Sequence, residues 1–373
     1  MKIGIMVRTI DEKQGIGMYV LNLLDNLFKI DQKNEYVLFF RKTKYLNRYD
    51  KYPKVKTELV KIPNKFLWDQ LAIPIVIKKY RLDMLFNTKF SVPLFVSCPT
   101  AMVMHGSEWY IFPEHYSKVD VFYVKVMMPL FLKKAKIIIS VSKSAKNDMI
   151  KYAKADPTKF RVIYLSYNKR FKVIKDEKYL NKIQEKYQLP EKFIMFVGRI
   201  FPSKNVSNLI KAFSKITDKI PHKLLLVGGV RWKYHKTLEL IQDSDIADKI
   251  IRKDWIEPSD LPGFYNLADL FVFPSKYESC PAPPLEAMAC GCPVITTRRG
   301  GTPEVVGNSA IFVDPSSPDD ISKGILIILT NHEIKESLIQ EGFKQIKKFS
   351  WEKCAKETLK ALEALDNNPK KEK

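Results

Sequence analysis

Short apolar runs alternate with longer amphipathic stretches along the whole chain. Runs at 2–7, 36–40, 82–86, 100–104, 137–141 and 161–164 predict six strands in the first half. Runs at 193–197, 223–227, 250–253, 270–273 and 293–296 predict five more. Helical periodicity over 17–30, 68–80, 119–134, 144–153, 205–217, 259–267 and 284–290 fills the gaps. A last helix begins after Ser350, a residue suited to the N-cap, and runs to Leu365. Strand–helix alternation of this kind predicts parallel sheets covered on both faces. It occurs twice, on either side of a polar, lysine-rich stretch. The expectation is two doubly wound α/β domains, over 1–170 and 192–349, joined by a linker over 171–191. Ligands then belong outside the carboxyl ends of the strands, in the cleft that two such domains form.

A length of 373 residues suits two domains. At 46% hydrophobic and 28% charged residues, the composition excludes a disordered chain. No charged leader precedes a long apolar core, and no apolar run approaches a membrane span, so neither a signal peptide nor a transmembrane helix is expected. Cys98, Cys280, Cys290, Cys292 and Cys354 form no CxxC or metal-ligand spacing; they read as reduced thiols in a cytoplasmic protein. The net charge of +22 is uneven. Residues 1–190 hold 36 basic and 17 acidic side chains, a net of +19, and the remainder only +3. The first half therefore points to an anionic partner: nucleic acid, an anionic membrane surface or a phosphorylated ligand.

Four loops follow predicted strands and carry candidate chemistry. Gly15 and Gly17 precede the first helix, where backbone N–H groups can approach an anion, although the full dinucleotide fingerprint is missing. His105, followed by Gly106, ends an apolar strand. Arg199 and Lys204 lie in one strand–helix loop, a pairing suited to a diphosphate. Glu278 and Glu286 flank a loop leading into a helix predicted from Pro284, with Leu285 and Glu286 in its first turn. Two carboxylates so placed can hold a polyol while the helix N–H groups face a phosphate. Asp243-Ser244-Asp245 has the form of a divalent-metal motif, but lies in a polar stretch and reads as solvated surface.

The order of these elements, with Gly300-Gly301-Thr302-Pro303-Glu304 after them, resembles glycosyltransferase family 4 over nearly the whole chain. That resemblance implies a GT-B fold, two Rossmann-like domains facing across a cleft, and retaining transfer from a nucleotide-diphosphate sugar without a metal or other cofactor. It implies that Glu286 holds the ribose and that Glu278 lies at the reacting centre. Arg199 and Lys204 would bind the diphosphate, Gly15 and Gly17 would border donor phosphate and acceptor, and His105 would contact the transferred sugar. Trp255 and Ile256 would flank the base. The final helix, 350–366, would return to the N-terminal domain. One stretch departs from the family: Pro281 and Pro283 stand in Ser279-Cys280-Pro281-Ala282-Pro283, where a glycine-rich segment usually meets the donor sugar, and each removes a donor.

In this family the N-terminal domain takes the acceptor, and that domain carries the +19. Basic residues interleave with apolar ones over 61–79 and 118–136. One reading is core-facing helices with solvated lysines; the sharper one is an interfacial surface on an anionic leaflet. The resulting expectation is a cytoplasmic enzyme, peripheral on the inner face of the membrane, acting on a glycan or lipid-linked acceptor. Two other readings compete: a sugar-nucleotide binder that has lost catalysis, and a nucleic-acid-binding protein. No helix-turn-helix, zinc-finger or RNA-binding signature supports the last, so nucleic acid is not expected as a partner.

Overall fold

A computed structural model describes residues 1–12, 15–230, 239–241 and 245–365. The chain forms two compact units, Met1–Leu165 with the segment from Ser350, and Ser166–Phe349.

The first unit holds a seven-stranded parallel sheet of β1 (Lys2–Met6), β2 (Glu35–Phe40), β3 (Val55–Leu59), β4 (Met84–Asn87), β5 (Thr100–Met104), β6 (Ile137–Ser140) and β7 (Phe160–Val162). Its strand order is β3-β2-β1-β4-β5-β6-β7. Ile3 of β1 pairs with Tyr36 of β2 on one side and Met84 of β4 on the other. The strands of the second unit are β8 (Phe193–Val197), β9 (Lys223–Val227), β10 (Ile250–Lys253), β11 (Leu270–Phe273), β12 (Val294–Thr297) and β13 (Ala310–Val313). Their order, β10-β9-β8-β11-β12-β13, repeats that of the first six strands. In both units the direction of winding reverses beside the first strand, between β1 and β4 and between β8 and β11. Loops leaving those strands diverge there and leave room for a ligand.

The central strands are buried on both faces, which is why they read as unbroken apolar runs. Two strands went unpredicted, and both lie at sheet edges. In β3, Lys56 and Glu58 alternate with Val55, Thr57 and Leu59; in β13, Ile311 and Phe312 stay partly exposed. Among the helices that went unpredicted are Glu177–Tyr187, Thr302–Val306, Pro318–Thr330 and His332–Ile346. The first falls inside the expected linker. Asp176 caps it, Ile183 is buried, and the Tyr187 ring meets Phe264 at 4.9 Å, so 171–191 contributes to the second unit's packing. The first unit ends at Leu165, five residues before the expected boundary.

The helix expected over 68–80 is broken. A short α turn at Lys65–Leu67 widens into a π turn over Trp68–Ala72, resumes as Ile73–Ile77 and tightens into a 3₁₀ turn at Lys78–Tyr80. Pro74 has no N–H to bond back to residue 70, and a widened turn before it absorbs the missing bond. The last helix, Trp351–Glu363, is capped by the Ser350 side chain and lies in the first unit against the helix Ile16–Ile30. Trp351 meets the Tyr19 ring edge-on at 5.8 Å. Residue 366 of that predicted helix, and the tail after it, lie outside the described residues.

The helix Lys118–Lys134 is apolar on two sides. Val124, Met128, Phe131 and Leu132 face the core. Val119, Phe122, Val126 and Leu130 form a second stripe at helical spacing, with Phe122 71% exposed. Leu67, Leu71 and Ile75 continue an exposed row on the neighbouring segment, whose Phe66 ring meets Tyr123 at 6.2 Å. Lysines 118, 125, 133 and 134 punctuate the helix. Core packing explains only one of its two apolar faces.

Candidate functional site

In the second unit, the loop after β8 and the loop after β11 meet at the reversal of winding. The first carries Arg199, exposed, and Lys204, which closes a 3₁₀ turn at Pro202–Lys204. The second carries Glu278, which is only 8% exposed. Lys204 Nζ donates to Glu278 Oε1 in an ion pair and also lies 5.5 Å above the Phe273 ring. Hydrogen bonds to backbone carbonyls hold the loops in register. Lys276 N donates to Ser203 O at 2.8 Å, and Asn205 Nδ2 bridges Pro274 O at 3.1 Å and Pro315 O at 2.6 Å. The loop after β12 completes the frame. Gly301 N donates to Glu278 O at 2.7 Å, and a Cβ at Gly300, where φ is +59°, would stand 2.2 Å from that same oxygen. Only glycine fits there. Ser279 Oγ, buried beside Glu278, finds no hydrogen-bond partner among the described residues.

The helix after Glu278 differs from expectation in three ways. It begins at Ala282, so Glu286 stands in its second turn and not its first. Pro283 and Pro284 follow, so of the first three helical residues only Ala282 retains an N–H. This helix terminus is therefore a poor phosphate cradle. Leu285, expected among the donor contacts, is fully buried in the core, so its side chain is unavailable to a ligand. Glu286 is half-buried and accepts from Tyr265 Oη at 3.3 Å. Burial pushes its carboxyl up to about 7, against the Tyr265 hydrogen bond and the Arg170 charge. Trp255 follows edge strand β10 and is 47% exposed, so its ring can stack on a planar group; the Ile256 side chain is buried and cannot.

In the first unit, Gly15 is the N-cap of the helix Ile16–Ile30, and Gly17 is buried in its first turn. A Cβ on Gly17 would stand 1.9 Å from the Glu12 carbonyl oxygen, so this loop needs glycine there. His105 follows β5. Its Nε2 lies 2.8 Å from the Thr88 carbonyl oxygen, which can only accept, so Nε2 carries the proton and Nδ1 is left as an acceptor. Burial pushes this imidazole down to about 4, so the ring is neutral at physiological pH. The Tyr19 ring braces it edge-on at 4.7 Å. His105 is thus fitted to accept a hydrogen bond at Nδ1 and not to supply positive charge.

Sequence reasoning passed over Arg8, Asp69 and Lys89, which gather at the first unit's own reversal of winding. Arg8 leaves β1 and pairs through Nε with Asp69 Oδ1 at 3.2 Å, the two side chains being 8% and 2% exposed. A cation directly after a run as apolar as 3–7 was the available signal. Of Asp243-Ser244-Asp245, the first two lie outside the described residues, as does Gln14; Asp245 is exposed.

Residues 180–345 match the family of glycosyl transferases group 1. The chain is 28% identical over 264 residues to O-antigen chain mannosyltransferase B of Escherichia coli, spanning 70% of this chain and 69% of that protein. It is 30% identical over 228 residues to an uncharacterized glycosyltransferase of Methanocaldococcus jannaschii, spanning 60% of this chain and 58% of that one. Among solved structures, Anabaena HepE in complex with UDP superposes with a TM-score of 0.77 at 18% identity, over 98% of this chain and all of that one. That likeness shows the fold: GT-B, with two Rossmann-like units.

Proposed function

Because residues 180–345 match the group 1 glycosyl transferases, we propose that the chain belongs to this family and carries out a hexosyl transfer. The donor is a nucleotide-diphosphate sugar, and the acceptor is a glycan or lipid-linked glycan of the cell envelope. The observation that carries the reading is the Lys204–Glu278 pair, with Ser279 beside it, at the winding reversal of the matched region. Because an O-antigen mannosyltransferase is among the relatives, a nucleoside-diphosphate mannose is the first donor to test.

The chemistry follows from charge. As the bond from C1 to the diphosphate oxygen breaks, negative charge grows on the leaving group and positive charge on the sugar. Arg199 and Lys204 would stabilise the first, so the reading needs no metal. Glu278 would stabilise the second. The acceptor oxygen attacks C1 from the leaving-group face, its proton passing to the departing diphosphate, which retains the anomeric configuration. Proton NMR of the product tests retention: an inverted anomer overturns it. Because the helix after Glu278 offers one N–H, Arg199→Ala should weaken nucleoside-diphosphate binding about tenfold or more in calorimetry. Unchanged binding would remove Arg199 from the site.

Glu286 adds a pH signature. If the ribose hydroxyls donate to its carboxylate, binding needs the ionised form, so affinity should fall as pH drops through about 7. Glu286→Gln should lose that slope; a slope that persists would reassign it. The same shift acts on stability. A carboxyl raised in the folded state costs stability as pH rises from its unfolded value through about 7. Glu286→Gln should therefore stabilise the unliganded protein at pH 8 and not at pH 4.5.

The membrane belongs to this proposal as well. The exposed row along Val119, Phe122, Val126 and Leu130, with Leu71 and Ile75 beside it, is set among lysines and fits an anionic leaflet. Among the described residues no helix is long and apolar enough to cross a membrane. Flotation with phosphatidylglycerol vesicles should recover the wild-type protein at low salt, and Phe122→Glu should abolish recovery. Equal binding to neutral vesicles, or none to either, overturns the docking.

A further inference from the structure

The first unit carries a second polar cluster that the transfer chemistry leaves unused. Arg8 leaves β1 and Lys89 leaves β4, the two strands between which winding reverses. Their surroundings are built and locked. Ser91 Oγ donates to Asp69 Oδ2 at 2.6 Å, and Asn87 Nδ2 donates to Ser91 O and to Ser91 Oγ at 3.0 Å. Asn87 Oδ1 accepts from Lys89 N at 3.1 Å, which fixes the turn that presents Lys89. Asp69 is already engaged by Arg8 and Ser91. Lys89 is half-buried, and Arg8 and Lys65 both act on it electrostatically. Burial first, then those two cations, push its ammonium down to about 8, against the nearby carboxylates of Glu12 and Asp69. Cations held together this way favour an arriving anion. Next to Arg8, the buried Thr9 hydroxyl finds no partner among the described residues.

The cluster also borders the apolar surface. Tyr123 lies within electrostatic range of both Asp69 and Arg8, and its ring meets the exposed Phe66 at 6.2 Å. An anion held at Lys89 therefore sits at the edge of the exposed rows that contain Leu67 and Phe122.

We propose that Arg8 and Lys89 form an anion site for the phosphate or diphosphate ester of a lipid-linked acceptor. This rests on the glycosyl-transfer reading for its biological setting, but its test does not. Arg8 is buried in an ion pair, and its removal risks the fold, so Lys89 is the residue to change. Calorimetry on the full chain, below the probe's micelle concentration, compares decyl diphosphate with inorganic pyrophosphate. Lys89→Ala should weaken decyl diphosphate about tenfold or more, and Lys89→Arg should restore it. Its thermal midpoint and its affinity for nucleoside diphosphates should stay those of the wild type. Decyl diphosphate bound as tightly by Lys89→Ala as by the wild type overturns the site. Pyrophosphate bound as tightly as its decyl ester would make a free phosphate, and not a lipid headgroup, the ligand. Loss of nucleoside-diphosphate binding in the wild type would count against the donor assignment alone.

Discussion

Glu278→Gln should lower the turnover number by roughly 10²–10³-fold while leaving nucleoside-diphosphate affinity equal to the wild type's or tighter. Both halves of that result follow from one ion pair. In the free protein Lys204 is engaged by Glu278, a carboxylate that is 8% exposed. An arriving diphosphate must share that lysine. Glutamine keeps the shape of the side chain and removes its charge, so Lys204 becomes fully available to the diphosphate. The sugar, in turn, loses the anion that would face its developing positive charge. Single-turnover rates and calorimetry on the same preparation separate the two effects. A variant near the wild-type rate would strip Glu278 of its part in the reaction. One whose donor affinity fell in step with its rate would make Glu278 a binding group only. Lys204→Ala should show the converse, with weakened nucleotide binding and a carboxylate left buried without its partner.

Arg8→Leu should cost the N-terminal unit about 3–5 kcal/mol at pH 7. The substitution removes little volume but leaves Asp69, 2% exposed, without its cation. Ser91 still donates to Asp69, which softens the penalty without removing it. The sign of the pH dependence is fixed by burial, which raises the Asp69 carboxyl above its ordinary value even with Arg8 present. Removing Arg8 raises it further. An unfolded Asp ionises near 4, so the variant loses stability as pH climbs from there, and the penalty shrinks again on acidification. Arg8→Leu with Asp69→Asn should recover most of the loss, because no charge then remains buried. Denaturation followed at pH 5 and pH 7 checks both statements. A penalty independent of pH would mean that packing, and not charge, holds this corner together.

How much of this was legible beforehand depends on what each residue's neighbours along the chain could reveal. Thr100–Met104, Phe193–Val197, Lys223–Val227 and Leu270–Phe273 fall where the apolar runs predicted them, because a parallel strand covered on both faces has little reason to alternate. Edge strand β3 escaped because a lysine and a glutamate interrupt its apolar positions. The helix over 68–80 was read as continuous because periodicity ignores the missing N–H of Pro74. At the candidate site, Lys204 and Glu278 were each visible as loop residues after strands. That they form an ion pair was not visible, since 74 residues separate them and only the adjacency of β8 and β11 brings them together. The burial of the Leu285 and Ile256 side chains was not visible either, because a sequence gives a residue's place on an element without the direction of its side chain. Arg8 was passed over for a related reason: its partners, Asp69 and Ser91, lie elsewhere in the chain.

By itself the sequence determined the repeated alternation of strand and helix, the two-unit division, the lopsided charge and the residue types available for phosphate and sugar chemistry. These are local quantities, set by spacing and composition. Only the tertiary structure decided which of those residues meet and in what protonation state. The winding order of each sheet brings distant loops together at the reversal. Burial then sets the charge: it keeps His105 neutral, moves Glu286 toward neutrality, and makes Asp69 depend on Arg8. Neither strand order nor desolvation is a property of any short stretch of chain, because both arise from what packs against it.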